Sequence, residues 1–169
     1  MAGKPLIGVV MGSDSDLAVM QKCVEQLQAF GLACEVRVIS AHRTPQAAHE
    51  YAATAAQRGL KALIAAAGMS AALGGVLAAN TTLPVIGVPM ESGPLKGVDA
   101  ALSTMQMPPG IPVACMAIGA AGATNAAILA VQILALSDAA LAQRLEQFKK
   151  DMARKVAEKD AAISKQIGK

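Results

Sequence analysis

Aromatic side chains are almost missing from this chain: it has no tryptophan, one tyrosine (Tyr51) and two phenylalanines (Phe30, Phe148), or 2% of 169 residues. Proteins that hold single-stranded nucleic acid stack its bases on aromatic rings, and there is little here to stack on. Charge is scarce too, at 16% of residues against 54% hydrophobic, so the chain buries more apolar surface than ordering it requires and is not a disordered protein. The three cysteines, Cys23, Cys34 and Cys115, are odd in number, widely spaced and set among apolar residues. They outline neither a disulfide framework nor a metal site, and free thiols point to a reducing, cytoplasmic setting. No His, Cys, Asp or Glu cluster has metal-ligand spacing, and the GxGxxG-like runs are degenerate, so neither a metal nor a dinucleotide cofactor is expected. The first apolar run, PLIGVVM, is broken by glycine and acids too soon to be the core of a signal peptide and reads as a strand.

What the chain does have is small and aliphatic. Its length suits one domain, expected to comprise an α/β core over residues 1–136 and a helical extension over 137–169. The net charge of +3 is unevenly placed: residues 1–136 carry seven basic and seven acidic side chains, residues 137–169 eight and five. Acids interleave with the basic residues of the tail (Glu146, Asp151, Glu158, Asp160), the pattern of a solvated helix face rather than a nucleic-acid surface. Between Asp99 and Asp138 no residue is charged. A membrane span is not expected there, because TMQMPPGIP and two glycine-rich breaks interrupt the stretch, and Asn125 and Gln132 would need partners in lipid. An alanine-rich helix apolar nearly all round suits the centre of an assembly, so the chain is expected to form a homo-oligomer.

Short apolar runs alternate with helical patterns: PLIGVVM, a helix over about 17–30, CEVRVIS, a helix over about 44–58, KALIAAAG, a small-residue segment, TLPVIGVPM, a loop ESGPLKGVDAAL, IPVACMAIG and a helix over about 121–136. Five apolar strands each followed by helical sequence predict a doubly wound three-layer α/β sandwich with a central parallel sheet, flavodoxin-like in shape. The pattern after Asp138 predicts a long amphipathic C-terminal helix.

In such a sheet ligands bind beyond the carboxyl ends of the strands, so the residues after each run are the ones to inspect. After the first come Gly12, Ser13, Asp14, Ser15 and Asp16, a turn of small polar residues that can hold an anion or a ribose at a helix N-terminus, or simply cap that helix. After the second come Ser40, Ala41, His42, Arg43, Thr44 and Pro45. Arg43 suits bidentate contact with phosphate, and His42 can move a proton near neutral pH. His49, the other histidine, reads as structural. After the third lies Gly68 to Gly75 without an ionisable group, a loop whose backbone can approach a planar ligand or pack a helix closely. Glu91 and Ser92 follow the fourth. The residues alone therefore give an oligomeric α/β protein with a phosphate-and-hydroxyl site, one acid/base and no cofactor.

The strand–GSDSD turn, SAHRTP, AAGMSAALGG, TLPVIGVPMESGPLKGVDAALSTMQMPPGIPVA and AIGAAGATNAAILAVQIL resemble, in order and spacing, the N5-carboxyaminoimidazole ribonucleotide mutase family of purine biosynthesis, over roughly residues 5–136. The resemblance implies a cytoplasmic homo-octamer that uses neither metal nor ATP and acts on a ribonucleotide and CO₂. It implies that Ser13 and Asp16 hold the phosphate and ribose region, that Arg43 binds the 5′-phosphate, and that Ser15 and Ser40 line the same pocket. His42 would be the catalytic proton shuttle, with Gly68, Ser70 and Leu73 of the uncharged loop against the substrate. One segment departs from the pattern. Mutases of this family usually carry His-Leu-Pro-Gly where this chain has Ala72, Leu73, Gly74 and Gly75, and AGMSAAL resembles related carboxylases that use aminoimidazole ribonucleotide and CO₂ directly. Those carboxylases commonly have lysine in place of Arg43. A non-catalytic nucleotide-binding module is the reading from another class.

Overall fold

The computed structural model describes residues 3–168 and places them in two compact units, one running to Ala130 and the other from Val131 onward. The first unit contains β1 (Ile7–Met11), α1 (Leu17–Ala29), β2 (Cys34–Val38), α2 (Pro45–Arg58), β3 (Ala62–Gly68), α3 (Leu73–Ala79), β4 (Val85–Met90), α4 (Val98–Met105), β5 (Ala114–Cys115) and most of α5 (Ala120–Ala135). All strand pairs are parallel, in the order β2-β1-β3-β4-β5. This is the doubly wound, flavodoxin-like order, whose direction of travel reverses between β1 and β3 and leaves a crevice there.

Strands β1 and β4 are buried throughout, and β3 is buried from Ala62 to Ala66. Cover on both faces explains why these strands read as unbroken apolar runs rather than alternating ones. On one face Val10, Leu63, Ala65 and Val85 pack with Ala48, Tyr51, Ala52 and Ala55 of α2 and Leu73 and Leu77 of α3. Small residues allow the helices to come close. A Cβ on Gly8 would overlap the Tyr51 hydroxyl and stand 2.9 Å from Leu63 Cδ2. Tyr51 in turn lies under Arg58, whose guanidinium carbon is 4.6 Å from the ring centroid and which pairs with Glu35 of the edge strand.

Two expectations from sequence change. The segment read as the loop ESGPLKGVDAAL is a loop only as far as Gly97, after which α4 begins. Gly97 turns the chain at φ 88°, and Asp99 in the first turn accepts a bond from the Ala100 amide. The fifth strand shrinks to Ala114–Cys115, and Pro112, two residues before it, lacks an amide hydrogen for the ladder. Helix α5, apolar nearly all round in sequence, buries Ala123, Ala126, Ala127 and Ala130 while Asn125 and Gln132 are exposed. No helix among the described residues is long and apolar enough to cross a membrane.

The second unit continues α5 and adds α6 (Ala139–Ile167), capped by the Asp138 carboxylate, which accepts from the Leu141 amide at 3.0 Å. Its charges pair along the helix: Arg154 lies 3.0 Å from Asp151 and 3.7 Å from Glu158.

The crowding at Gly8 gives a measurable expectation. Gly8→Ala should destabilise the protein by about 1–3 kcal/mol, the usual cost of overpacking a dense core. An unchanged midpoint in chemical denaturation would refute the close approach of Tyr51 to β1.

Candidate active site

The cleft is built from the carboxyl ends of β1, β2 and β3. The last ladder bond of the β1–β2 pair, Ile39 N to Met11 O at 2.8 Å, carries the two strands to their ends together. Beyond β1 the chain turns at Gly12, and Ser13 caps one turn of 3₁₀ helix over Asp14–Asp16. The Ser13 hydroxyl oxygen accepts from the Ser15 amide at 3.3 Å and from the Ser15 hydroxyl at 2.9 Å. The polar turn thus caps its own 3₁₀ turn but makes no side-chain cap bond to α1, and both hydroxyls line the cleft.

Beyond β2, Ser40 ties the loop shut. Its amide donates to Thr44 Oγ1 at 3.0 Å, its carbonyl accepts from the same hydroxyl at 2.9 Å, and its side-chain oxygen accepts from the Arg43 amide at 3.1 Å. Pro45 then opens α2 at a position where no amide hydrogen is needed. The loop presents Arg43 and His42 side by side, both exposed. The guanidinium makes two long bonds of 3.4 Å, Nε to Ser40 Oγ and a terminal nitrogen to Gly12 O. With five donors and only two weakly engaged, Arg43 is aimed across the β1 turn with capacity for an anion.

Beyond β3, Met69 adopts a left-handed backbone (φ 54°), and the amides of Ala71 and Ala72 fold back on the carbonyls of Met69 and Ser70 at 2.9 and 2.7 Å. The resulting wall is apolar apart from the Ser70 hydroxyl and the backbone.

These three loops enclose a cleft of about 580 Å³, within the range of small-molecule sites. All nine residues singled out from sequence line it: Ser13, Ser15 and Asp16 from the first loop, Ser40, His42 and Arg43 from the second, Gly68, Ser70 and Leu73 from the third. Ala72 also lines it, as does Ser92, to which sequence reading gave no role although it follows β4, where the carboxyl-end rule points. His49 lies outside the cleft, with Nδ1 2.6 Å from Asn80 Oδ1, a structural tie between α2 and α3. Among the described residues no three His, Cys, Asp or Glu side chains are grouped to hold a metal ion.

Among the described residues lining the cleft, Asp16 is the one buried ionisable group, 9% exposed. Burial pushes its carboxyl above the ordinary range, and the Ser13 backbone and Ser15 side chain offset this only in part.

A parallel sheet with an anion-directed arginine, a histidine and a mononucleotide-sized cleft at the switch point defines a nucleotide-handling α/β protein. The sequence narrows the class. The AIR carboxylase family model matches residues 6–155, and the chain belongs to that family. It is 51% identical over 156 residues to the N5-carboxyaminoimidazole ribonucleotide mutase of Pyrococcus horikoshii, covering 92% of this chain and 87% of that protein. It is 49% identical over 166 residues to the protein of the same name from Mycobacterium tuberculosis, covering 98% and 94%. Among solved structures, Treponema denticola PurE superposes with a TM-score of 0.81 at 31% identity, covering 94% of this chain and 98% of that one.

The burial of Asp16 has a consequence for stability. A carboxyl whose pKa is raised by folding favours the native state fully below its unfolded value, and that contribution is lost as pH rises through the raised one. Asp16→Asn should therefore melt above the wild type at pH 7, with the gap closing below the ordinary value of 3.8. Equal melting temperatures at pH 7 would mean that the buried carboxylate costs the fold nothing.

Proposed function

We propose that this chain converts N5-carboxyaminoimidazole ribonucleotide to 4-carboxyaminoimidazole ribonucleotide, a mutase step of purine biosynthesis carried out in the cytoplasm. The observation that carries the reading is the pairing of Arg43 and His42 on one loop, beside the β1 turn that bears the hydroxyls of Ser13 and Ser15. The names of relatives at about half identity over most of the chain support the same activity.

In this reading the Arg43 guanidinium and the Ser13, Ser15 and Ser40 hydroxyls take the 5′-phosphate, and Asp16 takes the ribose hydroxyls. The base then extends over β1 towards Gly68, Ser70 and Leu73, with His42 beside it. His42 gives a proton to the exocyclic nitrogen as the N–CO₂ bond breaks, its electron pair staying on nitrogen and CO₂ leaving. C4 of the aminoimidazole attacks the CO₂ carbon, and His42 takes the proton that C4 loses. Nothing is oxidised or reduced: one carboxyl group and one proton change places. Water in the cleft would let CO₂ escape, and an uncharged wall at Gly68–Leu73 holds little water.

The chain works as one domain, an α/β core over 1–136 with a helical extension over 137–169, and as a homo-oligomer, an octamer in the form the family resemblance implies. Support for assembly comes from large apolar side chains left at the surface: Val98, Leu102 and Met105 along α4 are 50–56% exposed, and Val156, Ile163 and Ile167 along α6 are 55–78% exposed. Sedimentation should give a species several times the 17.1 kDa chain; a stable monomer would overturn this part of the reading.

Activity is tested by offering the purified protein freshly made N5-carboxyaminoimidazole ribonucleotide at low CO₂. Turnover is expected, and an absolute requirement for aminoimidazole ribonucleotide with added CO₂ would make it a direct carboxylase instead. Arg43→Ala should weaken ribonucleotide binding by about 1.5–3 kcal/mol, the worth of a charge-assisted hydrogen bond. His42→Asn should abolish turnover while the ligand still binds, and retained turnover would remove His42 from the chemistry.

A further inference from the structure

Cleft residue Ser92 stands on a wall of its own. It follows β4, and its hydroxyl hangs over the end of β3: a Cβ on Gly68 would overlap Ser92 Oγ and come within 3.0 Å of Ser92 Cβ and 3.4 Å of the Met90 carbonyl oxygen. Glycine at 68 is therefore what lets this hydroxyl reach the cleft. The next residue, Gly93, turns the chain at φ 65° and would meet the Met69 side chain at 3.4 Å if it carried a Cβ, so the loops after β3 and β4 are packed against each other. The Ser92 hydroxyl is half-buried and has no hydrogen-bond partner among the described residues, whereas the hydroxyls of Ser13, Ser15 and Ser40 are engaged within their own loops.

Position decides what it meets. Strands lie about 4.8 Å apart, so the end of β4 is roughly 14 Å across the sheet from the end of β2, where the Arg43 loop begins. A ribonucleotide with its phosphate at Arg43 directs its base towards the far end. There the walls are Ala67, Gly68, Met69, Ala72 and Leu73, and the side-chain donors among the lining residues are the hydroxyls of Ser70 and Ser92.

We infer that Ser92 Oγ, held over Gly68, donates a hydrogen bond to the carboxyl group that moves between nitrogen and carbon, and so keeps the freed CO₂ beside C4. This rests on the mutase reading above. A neutral donor suits the task. The group alternates between an anionic carboxylate and uncharged CO₂, and a cation in this wall would bind the carboxylate ends of the reaction far more tightly than the CO₂ between them, deepening the ground states without lowering the barrier. A hydroxyl holds all three species with less contrast. Ala72 contributes no donor, which leaves the work to hydroxyls.

The test is Ser92→Ala, which removes one unpartnered atom and leaves Gly68 free of contact, with the wild type run beside it on N5-carboxyaminoimidazole ribonucleotide. The readings are KM, kcat and the fraction of consumed substrate that ends as aminoimidazole ribonucleotide rather than the 4-carboxy product. The expected result is a three- to tenfold lower kcat, about one lost hydrogen bond, with KM little changed and a clear rise in the decarboxylated fraction. A side chain that only shaped the loop would not raise that fraction. Gly68→Ala, whose methyl displaces Ser92, should raise it as well. Unchanged kinetics and product ratio in Ser92→Ala, or a raised KM with an unchanged ratio, would overturn the assignment while leaving the mutase reading intact. A wild type that does not turn the substrate over would overturn that reading itself.

Discussion

The cleft depends on the way Ser40 is held. Its amide, carbonyl and hydroxyl together make hydrogen bonds to Thr44 and Arg43, and the residue before it makes the final ladder bond to β1. Four of the chain's local decisions meet at this point: where β2 stops, where α2 starts, which way Arg43 points, and how far His42 stands from the β1 turn. A serine does this because it is small enough to end a strand and has an oxygen that accepts from a backbone amide three residues on, the geometry by which such residues close turns. Since β1 and β2 are also the pair at which the sheet's winding direction begins, the same bonds place Arg43 beside the crevice at the β1–β3 switch.

The second constraint is smallness. With 2% aromatics the core is filled by alanine, valine, leucine and isoleucine, and tight packing of helices on the sheet requires residues such as Gly8 and Gly87, where a Cβ would run into Tyr51 and Thr104. The same economy runs through the end of β3 at Ala67 and Gly68 and past the strand ends into Gly12 and Ala72. The floor of the cleft is thus an extension of the core in composition, apolar and close to the backbone. Its polar groups are brought in at the rim by the loops after β1, β2, β3 and β4.

Most of this was legible in the sequence because it is encoded locally. Apolar runs covered on both faces read plainly as strands, and Pro45 and Gly59 mark the ends of α2 as Pro and Gly usually do. The elements that escaped depend on distant partners. Helix α4 begins after a glycine- and proline-bearing loop that gives no helical signal, and β5 starts only after Pro112 within an otherwise apolar run. Ser92 escaped for the same reason. Its neighbours in sequence, Glu91 and Gly93, say nothing of a cleft, and its place becomes clear only when β3 and β4 lie in register from Leu63 opposite Val85 to Gly68 opposite Met90. Thr44 was hidden similarly: it stands just before α2, yet its hydroxyl turns back to Ser40 and makes no cap bond to the helix.

The departure at residue 72 is best understood through that register. A histidine at this position in relatives would place a second titratable group at the base end of the cleft, whereas here alanine leaves His42 as the only imidazole lining it. In the mechanism proposed above, proton transfer and carboxyl handling fall to different walls, His42 on the loop after β2 and neutral hydroxyls on the loops after β3 and β4. The chemistry allows such a division, because the proton and the CO₂ approach the aminoimidazole from different directions: one must reach the exocyclic nitrogen and leave C4, the other must stay between them. A single base that serves both atoms needs to swing only between two neighbouring positions on one ring. In that proposal the exposed His42 imidazole stands on a loop whose backbone is held by the Ser40 bonds, a fixed root for a solvent-facing ring.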